Sequence, residues 1–308
     1  MTWSPGSAPR LDGQAAIVTG ATGGLGWEAA LGLAAQGATT ILAGRNPVKG
    51  ADALARVLAR VPGAAARFEL MDLASLDSVA MFAARIADTH PAVAILVNNA
   101  GVMAPPTRRV TPDGFELQFG TNYLGHFALA ARLLPQLLAS GAPRVVSVSS
   151  VAHARARIDF ADLQGARAYS PWASYGQSKL AMLMFALELQ RRADAAGWPL
   201  RSVAAHPGWA VTDIISNGPG GGAPGLKEHA MQAAFRLFGQ SAARGVLPLL
   251  FAAMAIEAKG GGYYGPRGFM EIKGDVGPAR IMPQASDAAA AAQLWDLSER
   301  LTGLRFAA

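Results

Sequence analysis

The chain predicts an α/β protein: a single-domain, doubly wound, Rossmann-type sheet, mostly parallel, with helices on both faces. Three observations carry that prediction. Apolar runs of strand length alternate with helix-length patterns along the first two thirds of the sequence. Two of those runs, residues 93–97 and 145–148, are continuously apolar, as strands covered on both faces require. A glycine-rich turn, Thr19-Gly20-Ala21-Thr22-Gly23-Gly24-Leu25-Gly26, lies between the first run and the first helical pattern.

Each element has a local reason. Residues 15–19 are a short apolar run ended by Gly20, and 27–36 read as a helix closed by Gly37. Residues 39–43 give a second strand, and 47–60 a second helix entered by Pro47 and stopped by Pro62. Residues 68–71 and 75–89 repeat the strand–helix pair, and 93–97 and 145–148 add two strands. Residues 172–192 form one long helix, followed by a strand near 202–205. The stretch 217–225 holds five Gly and two Pro in nine residues and excludes regular structure. It lies within residues 209–240, a lid segment expected on the substrate side. Residues 240–258 return to helix, broken at 259–262, and 286–301 close the chain as an amphipathic helix. No stretch has the composition of an interdomain linker, so residues 14–308 form one domain behind a flexible tail over 1–13.

Composition narrows the function. At 308 residues, 51% hydrophobic and 16% charged, the chain has ample core and is not mainly disordered. The absence of Cys excludes disulfides, thiolate metal sites and a Cys nucleophile. The basic residues behind the net charge of +6 are scattered rather than striped, and aromatics are only 7%, so no nucleic-acid partner is expected. The longest apolar run, residues 246–256, falls far short of the ~20 needed for a transmembrane segment. The N-terminus lacks a secretory apolar region, which points to a cytoplasmic protein. No His/Asp/Glu cluster has metal-ligand spacing, so no metal is expected. The helical stripe Phe127, Ala131, Leu134 and Leu138 reads as core or as subunit interface, which leaves a homo-oligomer open.

A glycine loop that opens a helix offers unpaired N–H groups and a positive dipole end to a phosphate. Where an NAD-binding fold places an acid at the end of its second strand, this chain reads Gly44-Arg45, and no acid occurs from Ala29 to Ala51. Arg45 suits a 2′-phosphate, so the expected cofactor is NADP(H). Tyr175 and Lys179 stand four apart on one helical face, where an ammonium lowers a phenol's pKa and suits it to acid/base work. Small polar residues after successive strands, Asn98-Asn99, Asn122 and Ser149-Ser150, are placed where ligands bind in such sheets.

Together these motifs resemble the classical short-chain dehydrogenase/reductase family over roughly residues 13–212. They are the loop at Thr19–Gly26, Asp72-Leu73, Asn98-Asn99-Ala100-Gly101, Ser150, Tyr175-x-x-x-Lys179, and Pro207-Gly208 followed by Thr212. The resemblance implies Tyr175 as general acid/base, Lys179 as its tuner and a nicotinamide-ribose contact, and Ser150 as hydrogen-bond donor to the substrate carbonyl. It implies that Asn122 anchors a water leading from Lys179. It also implies cofactor contacts at Gly20, Thr22, Gly23, Gly24, Leu25, Gly26, Arg45, Asp72, Leu73, Asn99, Tyr175, Lys179, Ala210 and Thr212. Ala210 replaces the Val expected there, so only its backbone is carried over. Twenty-five positions separate Ser150 from Tyr175, a long spacing similar to that of the retinol-dehydrogenase-like and protochlorophyllide-reductase-like subgroup.

His206 and His126 read as a strand-end and a packing residue, and His153 is the better substrate neighbour. Trp209, Ile214, Ile215, Leu226, Met231, Phe235 and Leu237 suggest a lipophilic carbonyl or alcohol substrate. The expected activity is an NADP(H)-dependent oxidoreductase moving a hydride between nicotinamide and a C–OH/C=O pair. A redox-sensing regulator that binds NADP(H) without catalysis, or an epimerase or dehydratase, are the alternative readings of the scaffold. A regulator would typically have lost Tyr175 or Lys179.

Overall fold

The structure, a computed structural model, describes residues 3–210 and 239–307. The strands are β1 (Ala15–Thr19), β2 (Thr39–Gly44), β3 (Ala66–Leu70), β4 (Ile95–Asn98), β5 (Arg144–Val148), β6 (Arg201–Ala205), β7 (Tyr263–Pro266) and β8 (Val276–Pro278). They form one sheet in the order β3-β2-β1-β4-β5-β6-β7-β8, parallel throughout except that β8 runs antiparallel to β7. The doubly wound prediction holds. The order reverses between β1 and β4, and a crevice opens there beyond the carboxyl ends of the strands.

Helices α1 (Gly24–Ala35), α2 (Pro47–Arg60), α3 (Leu76–Thr89), α4 (Gly125–Arg132), α5 (Leu134–Ala139), α6 (Pro171–Ala196), α7 (Ala242–Gly245), α8 (Leu247–Met254) and α9 (Ala288–Thr302) cover the sheet. Their ends follow side-chain chemistry. Asn46 accepts the Lys49 amide to start α2, Ser75 accepts the Ser78 amide to start α3, and Gly197 ends α6 in the left-handed conformation. The strand alternation divides the core in two. Ile17, with residues of α3, α4, α6 and α9, fills one face, and Val18, with residues of α1, α2 and α8, fills the other. The stripe read as core or interface is core: Phe127 and Leu134 are fully buried, and Phe127 meets Trp295 edge-on at 5.1 Å.

Several expectations change. The helix expected over 240–258 is split into α7 and α8, because Pro248 has no N–H to offer the Arg244 carbonyl. The first helix starts earlier, at Gly24. β7 and β8 were not foreseen: Tyr263–Pro266 becomes a strand by pairing with β6, with Ala204 opposite Tyr263. The tail is not loose from Trp3 onward. The Trp3 ring packs edge-on to Phe251 at 5.3 Å, Gln36 donates to the Pro5 carbonyl, and Leu11 is buried. Thr212 and most of the expected lid, residues 211–238, lie outside the described residues. Among the described residues, Ala210 bridges Gln240 in parallel.

Candidate active site

The crevice is a cleft of about 2000 Å³, and every predicted site residue among the described residues except Asn122 lines it. Its floor is the turn after β1. Gly20 sits at φ +66°, which favours glycine, and a Cβ there would press on Ala100. A Cβ on Gly26 would meet the Gly20 carbonyl oxygen and the Asn99 side chain. The loop is therefore cut to bare backbone where the N-terminus of α1 presents its N–H groups. These features fit a dinucleotide pyrophosphate. Asn99 donates from Nδ2 to the Thr19 carbonyl at 2.8 Å, which clamps the turn after β4 to the turn after β1.

At the end of β2 the cleft is lined by Arg45 and, one helical turn on, Lys49, a second cation not singled out in the sequence. Neither side chain has an ion-pair partner among the described residues. Asp72 and Leu73 line the next wall, with Asp72 Oδ1 accepting the Ala74 amide. Ala210, read only for its backbone, is buried at the opposite rim.

Tyr175 and Lys179 share the inward face of α6, and both are buried. Lys179 Nζ lies 5.9 Å from the Tyr175 ring centroid and donates to the Val148 carbonyl at 3.0 Å. Burial pushes the Tyr175 phenol up to about 12, against the pull of the neighbouring Ser150 hydroxyl. Burial also brings Lys179 down to about 8. The lowered phenol expected from the Tyr–Lys spacing is thus reversed in the free protein. Lys179 is hydrogen-bonded to backbone, and desolvation dominates. Ser150 caps the short helix Val151–Arg155, its hydroxyl accepting the Ala152 amide at 3.2 Å, and faces the same cleft. Ser149 also borders the cleft but is more deeply buried, its hydroxyl donating to the Lys179 carbonyl at 2.8 Å.

Asn122 lies in a π-helical turn, Phe119–Leu124, that leads into α4. Its Oδ1 accepts the Val102 amide at 2.7 Å, and its Nδ2 donates to Val102 O and to Ser178 Oγ. It therefore joins the loop after β4 to α6 from behind the cleft wall.

The far half of the cleft was largely missed. The loop joining β7 to β8 contributes Phe269, Met270, Glu271 and Ile272, with Phe269 84% exposed. Met270 and Glu271 have φ of 51° and 56°, a left-handed pair without glycine. The loop is moored by the Trp209 amide donating to the Ile272 carbonyl and by His206 Nε2 beside Glu271 Oε2 at 3.1 Å. The sequence signal was the apolar pair Phe269-Met270 between glycines, and nothing local marked the flanking strands. Trp172 stands edge-on to Tyr175 at 6.0 Å. His153 lines the cleft but is buried, its Nδ1 bonded to the Ser150 carbonyl.

Residues 14–218 match the family model described as short chain dehydrogenase. The chain belongs to the short-chain dehydrogenase family. Within that family it is similar to the polyprenol dehydrogenase of Mus musculus, 40% identical over 97% of this chain and 87% of that protein. It is also similar to retinol dehydrogenase 13 of Homo sapiens, 39% identical with the same coverage of 97% and 87%. Among solved structures, an uncharacterised protein from Mycobacterium paratuberculosis superposes with a TM-score of 0.80 at 39% identity over 100% of both chains. A short chain dehydrogenase from Escherichia coli CFT073 complexed with NADPH gives 0.61 at 25% identity over 82% of this chain and 96% of that one. As a short-chain dehydrogenase the chain is an oxidoreductase.

Proposed function

We propose that this oxidoreductase uses NADP(H) to interconvert a lipophilic alcohol and its carbonyl, with Tyr175 as the proton-transferring residue. The observation that carries the reading is the convergence of Ser150, Tyr175 and Lys179 on one cleft with the glycine loop and Arg45. The glycine loop and the N-terminus of α1 would hold the pyrophosphate, Arg45 with Lys49 the 2′-phosphate, and Asp72 and Leu73 the adenine side. The bound dinucleotide supplies or accepts the hydride.

The chain's own residues handle the proton. Burial keeps Tyr175 protonated at neutral pH, so its hydroxyl is a donor for a carbonyl oxygen gaining negative charge. Ser150 offers a second donor to that oxygen. The Lys179 ammonium opposes the charge left on Tyr175 once its proton has gone. A lipophilic substrate suits the far half of the cleft, where Trp172, Met103, Phe269 and Ile272 stand around the catalytic corner. The names of the two mammalian relatives, polyprenol dehydrogenase and retinol dehydrogenase 13, agree with that class.

The test is NADPH consumption against a panel of retinoid, steroid, fatty and aromatic carbonyls, with hydrophilic sugars as controls. Turnover is expected with lipophilic members and not with sugars. NADPH binding without turnover of any carbonyl, or of any alcohol in the reverse direction, overturns the reading in favour of a redox-sensing role.

A further inference from the structure

His126, the second residue of α4, is completely buried beneath the junction of β1 and β4. Both ring nitrogens are engaged. Nδ1 lies 2.8 Å from the Asn122 carbonyl oxygen, and Nε2 lies 2.9 Å from Thr19 Oγ1. A carbonyl has no proton to give, so Nδ1 must donate. Burial, reinforced by the Lys179 charge and opposed by the bond to Asn122, holds the imidazole down at about 3, so the ring is neutral. Its Nε2 is then an acceptor, and Thr19 donates to it at 2.9 Å in preference to the Val97 carbonyl at 3.3 Å. The Thr19 oxygen in turn accepts the amides of Asn99 and Ala100, each at 2.9 Å.

The result is a hydrogen-bond chain with one polarity. It runs from the Asn99 and Ala100 amides through Thr19 and His126 to the Asn122 carbonyl. It connects the cofactor floor to the π-helical turn that holds Asn122, and every hydroxyl and imidazole proton in it is committed. Apolar packing does not account for this residue. Burying two ring nitrogens costs more than burying a Leu or Phe unless both find partners, and here each partner adjoins the cleft wall: Thr19 precedes the lining Gly20, and Asn122 follows the lining Thr121.

We infer that His126 is a positioning residue, fixing the Asn122 turn at one end and the Thr19–Asn99 corner of the cofactor floor at the other. The inference rests on the proposed NADP(H) chemistry for its kinetic half. Its cofactor half is read by binding alone, so the two fail separately.

The ends are separable because Asn places its amide near the imidazole Nδ1 and Gln near Nε2. His126→Gln keeps an acceptor for Thr19 and loses the donor to Asn122. It should lower kcat on the order of tenfold with NADPH affinity unchanged. His126→Asn keeps the donor to Asn122 and opens a gap at Thr19. It should weaken NADPH binding on the order of tenfold with kcat at saturation preserved. Thr19→Val should reproduce the affinity loss, and Thr19→Ser should not. A role confined to folding would lower Tm in both His126 variants without splitting the two parameters. Parallel shifts, or no shift, overturn the inference. Nitrogen NMR of the wild-type imidazole gives a decision that needs no variant to fold. One tautomer, protonated on Nδ1, should persist from about pH 5 to 8, where an ordinary histidine titrates. Protonation within that window, or the Nε2–H tautomer, overturns the assignment.

Discussion

Tyr175 and Lys179 are both held against their ordinary ionisation by the same cause, burial in the wall of the cleft. Tyr175→Phe keeps the ring and removes the hydroxyl proposed as proton donor. Turnover should fall by about 10²–10⁴ while NADPH affinity by titration stays unchanged. A variant with near-normal turnover would transfer the role to another residue, with His153 the first to examine. Lys179 gives a stability prediction with a definite sign. Its folded pKa, about 8, lies below its unfolded value of 10.5, so the native state binds fewer protons between them. Stability therefore rises with pH through that window, and the penalty for the buried ammonium is fully present below about 8. Lys179→Met should stabilise the free protein at pH 7 by roughly 1–3 kcal/mol in urea unfolding while abolishing turnover. The gain should shrink as pH rises toward 10. An unstable Met variant at pH 7 would show that the bond to Val148 outweighs desolvation. At this scale residue identity and spacing made Ser150, Tyr175 and Lys179 legible in the sequence. Their protonation was not, because spacing records that two groups share a face and says nothing about the water removed around them.

The elements that were legible are those whose pattern is local. β1 and α2 fall on their predicted bounds because a continuous apolar run, Pro47 and the Asn46 cap suffice to define them. β7 and β8 exist through pairing with β6 and with each other, and Gly265 and Pro266 hide them from any propensity argument. The π-helical turn at Asn122 was likewise invisible, since its residues suit an α-helix equally well. The glycine loop gives the prediction that belongs here. Gly26→Ala drives a methyl toward the Gly20 carbonyl, a backbone atom that has nowhere to retreat. Thermal unfolding should show a loss of roughly 1–3 kcal/mol, as overpacking produces, and NADPH affinity should fall more than tenfold. Gly63→Ala, where a Cβ would meet nothing within 4 Å, is the control: its φ of +80° is strained, yet it should leave NADPH affinity unchanged.

For the molecule as a whole, the N-terminal segment is a brace. Trp3→Ala should remove the contact with Phe251 and lower Tm by about 2–4 °C without changing the kinetics. Proteolysis at residues 3–10 that leaves Tm unmoved would return the segment to the loose tail its composition suggested. Cofactor choice also reads out globally, because a ligand that binds the native state raises its stability by mass action. NADPH at about a hundredfold over its Kd should add ~2.7 kcal/mol. NADH at the same concentration should add less, and Arg45→Ala should erase the difference. Equal shifts with both cofactors in the wild type would remove the 2′-phosphate role from Arg45. The sheet has one more consequence, for life in a crowded solution. Its outer rim at β3 carries Arg67 and Glu69, with Arg85 reaching Glu69 at 3.2 Å, and its other rim is β8, three residues closing on Pro278. A charged rim and a short proline-ended one are poor templates for a neighbouring strand. Copies of this chain that meet edge to edge find little ladder to extend at either described rim, which works against fibre growth from a wide, mostly parallel sheet.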